Sequence, residues 1–175
     1  HALDTVISQA LARRSLTVEF FGKKSHAAAA PGEGRNALNA LILFYHALIL
    51  SPGRLPRGCL FHGVIEKGGD APNIIPDFAR GRFSFRADAM SKIEPGMKRI
   101  EEAAREAAQA TGCTPSIAET GAAATTFKRN ISLERLFAEL LEHRGRKNPL
   151  TLRDHYGSTD LANVSRVCPT IEIMV

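Results

Sequence analysis

Residues 16–50, LTVEFFGKKSHAAAAPGEGRNALNALILFYHALIL, decide the fold because they predict a strand, a loop and a helix in succession. Residues 16–22 mix β-branched and aromatic side chains and end at a glycine, which is typical of a strand. Residues 36–50 place apolar side chains at helical spacing, Asn36 can cap the helix, and the SPG stretch ends it. The segment therefore predicts a β–α unit whose loop is rich in small residues.

The secondary-structure elements predicted after residue 50 give a strand and helix order that is typical of one fold class. Two further strands are predicted at 58–67 and 78–87, then a helix that begins after Ser91, and a last short strand at 113–120. Ser91 and Glu94 match a capping box, and Gly112 fits the position just after the end of that helix. The order is strand, helix, strand, strand, helix, strand. It predicts an α+β, ferredoxin-like βαββαβ fold, with one antiparallel sheet, both helices on one face and an edge strand open to a partner.

The character of the chain changes after residue 121. A linker, a helix at 131–144 and a buried-type final strand follow, and they are too few to make a core alone. We therefore predict a ferredoxin-like domain at 15–121 and part of a second domain at 122–175. The first residue is His and the last residues form a strand, so we expect a fragment of a longer chain.

Composition disfavours several classes of function. The net charge of +5 comes from 23 basic and 18 acidic residues that are dispersed, and the chain has two Tyr and no Trp. Nucleic-acid binding is therefore not expected. No apolar run approaches the length of a membrane span, and the N-terminal stretch is not a signal peptide. The three cysteines, Cys59, Cys113 and Cys168, are odd in number and far apart, which favours reduced thiols and a cytoplasmic location.

Three residues are candidates for a site, and each also has an ordinary interpretation. His26 sits at a strand end among alanines, where it is either a core or capping histidine or a donor to a developing oxyanion. Asn73 lies between Pro72 and Pro76 in a stretch that is either a plain long turn or a rigid positioning loop. Arg86 alternates with a buried phenylalanine, so it is either a solvated side chain or a bidentate anchor for a carboxylate. The six histidines show no metal-binding spacing.

Four stretches together resemble a known family. They are VEFFGKKSHAAAAPGEGRNALNA, FHGVIEKGGDAPNIIPDFARGRFSFRA, AAQATGC and YGSTDLANVSRVCPTI. They are similar to the dinuclear zinc amidohydrolases and peptidases that include aminoacylases, aminobenzoyl-glutamate hydrolases and related dipeptidases. The resemblance covers about residues 15–172. It implies a zinc-binding catalytic domain interrupted by a ferredoxin-like lid that also forms a homodimer. It also implies that residues 1–14 are the end of a first catalytic-domain half and a linker, and that residues 122–175 are a partial α/β segment of that catalytic domain.

The resemblance also implies roles for single residues. His26 is expected to reach across the dimer and stabilise the oxyanion in the partner's active site. Asn73 is expected to help hold the substrate, and Arg86 to bind the carboxylate of a small-molecule substrate. His1 lies near the place of a metal ligand that precedes the lid. The expected reaction is hydrolysis of an amide bond in an N-acyl amino acid or dipeptide-like substrate, with two zinc or similar divalent ions.

The resemblance has a consequence for this stretch of chain. The family's other metal ligands and its catalytic glutamate belong to a first half that these 175 residues do not contain. We therefore expect the fragment to bind no metal and to be inactive, although the full-length protein is an enzyme. The alternative is a freestanding ferredoxin-like module that binds a small ligand or regulates another protein. An upstream half rich in His and Glu favours the enzyme, and a native Met shortly before His1 favours the module.

Overall fold

A computed structural model describes residues 5–51, 53–145, 151–154 and 157–174. It divides the chain into two compact units, a first unit formed by 14–87 and 91–122 and a second formed by the described residues of 1–13, 88–90 and 123–175.

The described elements follow one another in a mixed order of strands and helices. The strands are β1 (Thr5–Gln9), β2 (Ala12–Phe21), β3 (Ser25–His26), β4 (Cys59–Lys67), β5 (Ile74–Ile75), β6 (Phe78–Ala87), β7 (Thr114–Glu119), β8 (Thr151–Asp154) and β9 (Ile173–Met174). The helices are α1 (Ala37–Ile49), α2 (Ile93–Thr111), α3 (Ile131–His143) and α4 (Leu161–Val164), with short 3₁₀ turns at Pro31–Glu33 and Met90–Lys92.

The first unit is built on a four-stranded sheet in the order β4–β6–β2–β7. Strand β4 pairs antiparallel with β6, with Phe61 opposite Phe85, and β2 pairs antiparallel with β7, with Val18 opposite Ile117. The prediction of a ferredoxin-like α+β fold is confirmed: β2–α1–β4 leaves room beside β2 for β6, which pairs with β4, and after α2 the last strand β7 pairs with the other side of β2. Strands β4 and β7 are the two edges of this sheet.

Both helices of the first unit pack on the same face of the sheet. The ring of Phe44 on α1 lies 6.0 Å from that of Phe20 and 5.5 Å from that of Phe83, measured between centroids. Helix α2 approaches so closely at Gly96 that an added Cβ would lie 2.1 Å from Cζ of Phe85. Phe83 and Phe85 have the same parity on β6, so α1 and α2 share one buried layer. The glycine in α2 permits this contact.

The other face of the sheet is polar and carries neither of these helices. Its alternating side chains include the ion pair of Arg80 with Glu19, at 2.6 Å, and the ion pair of Arg82 with Glu66. These charged groups are partly exposed, so each pair contributes little to stability. The alternation in residues 78–87 therefore separates a buried row from a row that faces outward, as the sequence predicts.

The ends of the helices follow the sequence predictions with one exception. Asn36 caps α1 by accepting a hydrogen bond from the Asn39 N–H at 3.0 Å, and Gly112 ends α2 in the left-handed conformation with φ of 69°. The predicted capping box of Ser91 and Glu94 is wrong. Helix α2 instead begins at Ile93, after a 3₁₀ turn, and no side chain caps it. The preceding turn leads straight into the helix, so the cap residue is not Ser91.

The second unit contains a three-stranded sheet in the order β8–β1–β9. Strand β1 is parallel to β8 and antiparallel to β9. Ala10, Phe127 and Ala162 form a small buried cluster. Asn163 joins this unit's segments, since its Oδ1 accepts from the Thr125 N–H and its Nδ2 donates to the Ala123 carbonyl, both at 2.8 Å. Among the described residues, no helix has the length and apolar character that crossing a membrane requires.

Candidate functional site

Two short antiparallel strands, β3 and β5, bring His26 and Asn73 together, although 46 residues separate them in sequence. We refer to this pair of strands as the hairpin, although no turn joins them directly. Strand β3 pairs antiparallel with β5, with Ser25 opposite Ile75 and His26 opposite Ile74. The Ala27 N–H then donates to the Asn73 carbonyl at 2.9 Å. The side chains of His26 and Asn73 are both exposed. Two polar groups chosen from distant parts of the sequence are therefore neighbours at the tip of one hairpin.

The alanines after His26 form a turn around its ring. The Ala28 and Ala29 N–H groups donate to Nδ1 of His26 at 3.2 and 3.1 Å, and the Ala30 N–H donates to the His26 carbonyl at 3.0 Å. These contacts hold the imidazole by Nδ1. The ring nitrogen left for a ligand is Nε2. The sequence did not indicate this arrangement, because the groups that hold the ring are backbone amides and alanine side chains reveal nothing of them.

The hairpin is tied to the sheet by a short backbone ladder. The Lys23 N–H donates to the Arg35 carbonyl at 3.0 Å and the Arg35 N–H donates to the Lys23 carbonyl at 2.9 Å. A Cβ on Gly22 would lie 2.0 Å from the Arg35 carbonyl oxygen, and a Cβ on Gly34 would lie 2.4 Å from Oγ of Ser25. The glycines that flank the loop therefore allow its two ends to meet.

Arg86 lies at the other end of the sheet. Its side chain is half-buried on the polar face, and its Nε lies 3.5 Å from Oγ of Ser84. Leu60 is its partner on the edge strand β4. Strand β6 starts at Phe78, just after the hairpin, and eight residues at about 3.3 Å each separate Phe78 from Arg86, roughly 26 Å in all. Within one chain, Arg86 is therefore too far from His26 and Asn73 to share a small substrate with them.

The residues that the structure describes do not form a metal centre. Among them, no group of three or more His, Cys, Asp or Glu side chains is placed to hold a metal ion. His1, the predicted metal ligand, lies outside the described residues. The described part of the chain thus does not fit two divalent ions, and any metal would depend on ligands from elsewhere.

The fold and the hairpin define a class of protein, a ferredoxin-like domain that presents a histidine and an asparagine away from its own core. Residues 13–112 match the family model of the M20 peptidase dimerisation domain. The chain belongs to this family. The match covers residues 15–112 of the lid predicted at 15–121, and the resemblance seen in the sequence is confirmed.

Curated relatives and solved structures agree with that membership. The chain is 37% identical over 164 residues to the Xaa-Arg dipeptidase of Mus musculus, covering 92% of this chain and 38% of the relative. It is 26% identical over 139 residues to one of the subunits of the p-aminobenzoyl-glutamate hydrolase of Escherichia coli (strain K12), covering 79% of this chain and 29% of the relative. The aminobenzoyl-glutamate utilization protein of Klebsiella pneumoniae has the same fold, with a TM-score of 0.73, 19% identity and coverage of 95% of this chain and 44% of that one.

The chain therefore spans less than two fifths of the length of these curated relatives. The relatives are hydrolases by name, which is consistent with an enzyme in full-length form.

Proposed function

We propose that these 175 residues are the lid and dimerisation portion of a full-length dipeptidase or amidohydrolase that cleaves an amide bond in a small substrate carrying a carboxylate. The hairpin that joins His26 to Asn73 is the observation that carries the proposal. It displays an imidazole and an amide outward, away from the core of their own fold. The relatives' names, a dipeptidase acting on Xaa-Arg and a hydrolase of aminobenzoyl-glutamate, support the reaction class.

A homodimer makes one site from the two distant ends of the sheet. Strand β4 is an edge, and an edge strand presents unpaired backbone groups to a partner. In a symmetric antiparallel pairing of two β4 strands, the start of one strand lies beside the end of the other. Leu60, opposite Arg86, is at the start of β4, and the loop that carries Asn73 follows its end. Each Arg86 is thereby brought towards the partner's hairpin.

Exposed apolar side chains support β4 and the neighbouring helix as the dimer surface. Helix α1 packs beside β4, since the Gly63 N–H lies 3.4 Å from the Tyr45 hydroxyl oxygen. The exposed large apolar residues on these two elements are Ile42, Leu43, Ile49, Leu60, Val64 and Ile65. Leu60 and Val64 lie on the outward face of the sheet, opposite Arg86 and Arg82, so they and the α1 residues are on different faces of the same edge. Exposed apolar side chains around an unpaired edge are typical of a protein interface. The family model, a dimerisation domain, favours a second copy as the occupant.

His26, Asn73 and Arg86 have separate chemical tasks in this proposal. The His26 ring of one subunit donates a hydrogen bond to the oxyanion that forms when the amide carbonyl is attacked in the partner's site. The Asn73 amide, which can both donate and accept, orients the substrate. The Arg86 guanidinium of the other subunit binds the substrate carboxylate, a geometry that arginine matches with two hydrogen bonds.

Two features of the full-length protein remain part of the proposal. We propose two zinc or similar divalent ions, bound by the part of the protein that precedes this chain, with His1 as a candidate ligand. We also propose a cytoplasmic location, supported by the odd number and wide spacing of Cys59, Cys113 and Cys168 in the sequence. The freestanding binding module is the weaker alternative, since similarity to the dipeptidase extends over 92% of the chain and well beyond the ferredoxin-like unit.

The function is tested with the full-length protein loaded with divalent metal. We expect hydrolysis of dipeptides that end in arginine, and little or no hydrolysis of the same dipeptides with an amidated C-terminus, because the amide offers no carboxylate to Arg86. Aminobenzoyl-glutamate and N-acetyl amino acids complete the panel. An absence of hydrolysis across the panel by a dimeric, metal-loaded protein would contradict the proposed function.

A further inference from the structure

We infer that the backbone amides of Ala28 and Ala29 fix neutral His26 as the tautomer that carries its proton on Nε2. The ring then faces the substrate as a hydrogen-bond donor and not as a base. This inference rests on the proposed function for the site of action of His26, but the tautomer itself follows from contacts within the hairpin.

The hydrogen bonds at Nδ1 carry the argument. In a neutral imidazole one nitrogen donates and the other accepts. Nδ1 lies 3.2 Å from the Ala28 nitrogen and 3.1 Å from the Ala29 nitrogen, and both groups are N–H donors. A nitrogen that accepts from two donors presents its lone pair to them, so the proton is on Nε2. Nε2 is on the exposed side of a ring held at Nδ1.

The rest of the turn keeps those two amides in place. The Ala30 N–H donates to the His26 carbonyl at 3.0 Å, and the Ala27 N–H donates to the Asn73 carbonyl at 2.9 Å. The turn is therefore hydrogen-bonded to β3 and to the residue that precedes β5. The alanines act through their N–H groups, and their small side chains leave the ring exposed.

The direction of the hydrogen bonds at Nδ1 determines whether Nε2 of His26 acts as a donor or as a base. In a Ser–His–Asp triad a carboxylate accepts from Nδ1–H, which leaves a lone pair on Nε2 and makes that nitrogen a base. In this hairpin the orienting groups donate to Nδ1, so Nε2 keeps its hydrogen and offers it outward. A group of this kind stabilises the negative charge that develops on a carbonyl oxygen. Ala28 and Ala29 are thus positioning residues for His26.

Two substitutions of His26 test the roles of Nδ1 and Nε2 separately in the full-length dimer. His26→Gln places an amide N–H near the position of Nε2 and loses the acceptor at Nδ1. His26→Asn places an oxygen near the position of Nδ1, where it can still accept from the Ala28 and Ala29 amides, and loses the distal donor. We expect His26→Ala to lower kcat by about 10²–10³-fold, the usual loss for one oxyanion donor. Of the other two variants, we expect His26→Gln to retain about tenfold more activity than His26→Asn.

A purely structural role for His26 predicts the reverse order. His26→Asn would then preserve the turn and keep activity, and that result would overturn the inference. Equal activity of His26→Gln and His26→Asn, at the level of His26→Ala, would also overturn it.

The wild-type protein allows the tautomer itself to be measured. A long-range proton–nitrogen NMR spectrum of the full-length protein labelled with ¹⁵N-histidine assigns the tautomer, and the spectrum of the His26→Ala protein identifies the His26 signals. We expect Nε2 at the shift of a protonated nitrogen and Nδ1 at that of an unprotonated acceptor. His143, an exposed histidine on the last turn of α3, is the comparison ring.

A His26 spectrum with Nδ1 protonated would refute the tautomer while leaving the proposed function intact, provided that His26→Ala still lowers kcat. Unchanged turnover of His26→Ala, with the expected spectrum, would instead remove His26 from the proposed reaction.

Discussion

At the scale of single residues, the two glycines of the PGEG segment differ in what surrounds them. A Cβ on Gly34 would lie 2.4 Å from Oγ of Ser25 and 2.7 Å from Cδ1 of Ile75, the residues that pair beside His26 in the hairpin. A Cβ on Gly32 would meet no atom within 4 Å. Gly34 has φ of −81°, a conformation that alanine also adopts, so the effect of Gly34→Ala is one of crowding alone.

We predict that Gly34→Ala displaces the hairpin and lowers kcat/KM in the full-length enzyme. Overpacking of this kind costs about 1–3 kcal/mol, and a shift of the ring weakens its contact with the reacting carbonyl. Gly32→Ala is the matched control, and we expect its kcat/KM and its urea unfolding midpoint to equal those of the wild type. Equal activity of Gly34→Ala and Gly32→Ala would show that the hairpin's position is not set by this contact.

At the scale of elements, the sheet has two edges of different character. Val64 on β4 is 57% exposed and lies opposite Arg82, on the outward face of this edge strand. Ala118 is an exposed residue on β7, the opposite edge. A symmetric interface receives any substitution twice, so a charge placed on β4 would face its own copy across the dimer.

We predict that Val64→Asp raises the dissociation constant of the full-length dimer at least about tenfold, because like charges at an interface cost several kcal/mol. Ala118→Asp puts the same charge on the other edge and is expected to leave the dimer intact. Sedimentation equilibrium over a range of protein concentrations measures both. Dimerisation of Val64→Asp at wild-type affinity would exclude β4 from the interface.

The strands and helices differ in how well they could be predicted from the sequence alone. The alternation of Phe83 and Phe85 with arginines predicted β6 without error, and helical spacing predicted α1, because both signals are local. Strands β1, β3, β5 and β8 were not predicted. They are two to five residues long and exist only through pairing with distant segments, as β1 does with β8. Local sequence composition does not predict such pairing.

In the candidate site, too, some features could be predicted from local sequence and others depend on contacts between distant segments. His26, Asn73 and Arg86 could be named from the sequence, but their roles came from a family resemblance, since each also had an ordinary interpretation. That His26 and Asn73 are neighbours depends on the pairing of β3 with β5. That Arg86 lies far from them depends on the length of β6. The pairing does not follow from spacing along the chain, whereas the length of β6 does.

At the scale of the whole molecule, each proposed active site combines Arg86 of one subunit with His26 and Asn73 of its partner. His26→Ala and Arg86→Ala homodimers are then both impaired at both sites. A mixed dimer has one site with both defects and one site with neither.

We predict that co-refolding or co-expressing the His26→Ala and Arg86→Ala proteins in equal amounts restores about a quarter of wild-type activity, because half of the dimers are mixed and each has one intact site. Two differently tagged subunits allow the mixed dimer to be purified and assayed by itself. Mixing the His26→Ala protein with a His26→Ala, Arg86→Ala double variant is the control, and it should restore nothing. Absence of restoration in the first mixture would place His26 and Arg86 in the same subunit's site.

The roughly 26 Å of strand β6 between the hairpin and Arg86 has a consequence for how such an enzyme responds to its own abundance. In the proposed arrangement, a single subunit would carry His26, Asn73 and Arg86 but could not place all three on one substrate molecule. Catalytic output per chain would therefore fall away steeply once the cellular supply drops below the level at which chains meet, and a cell could silence the reaction by making less of the protein, with no inhibitor at all.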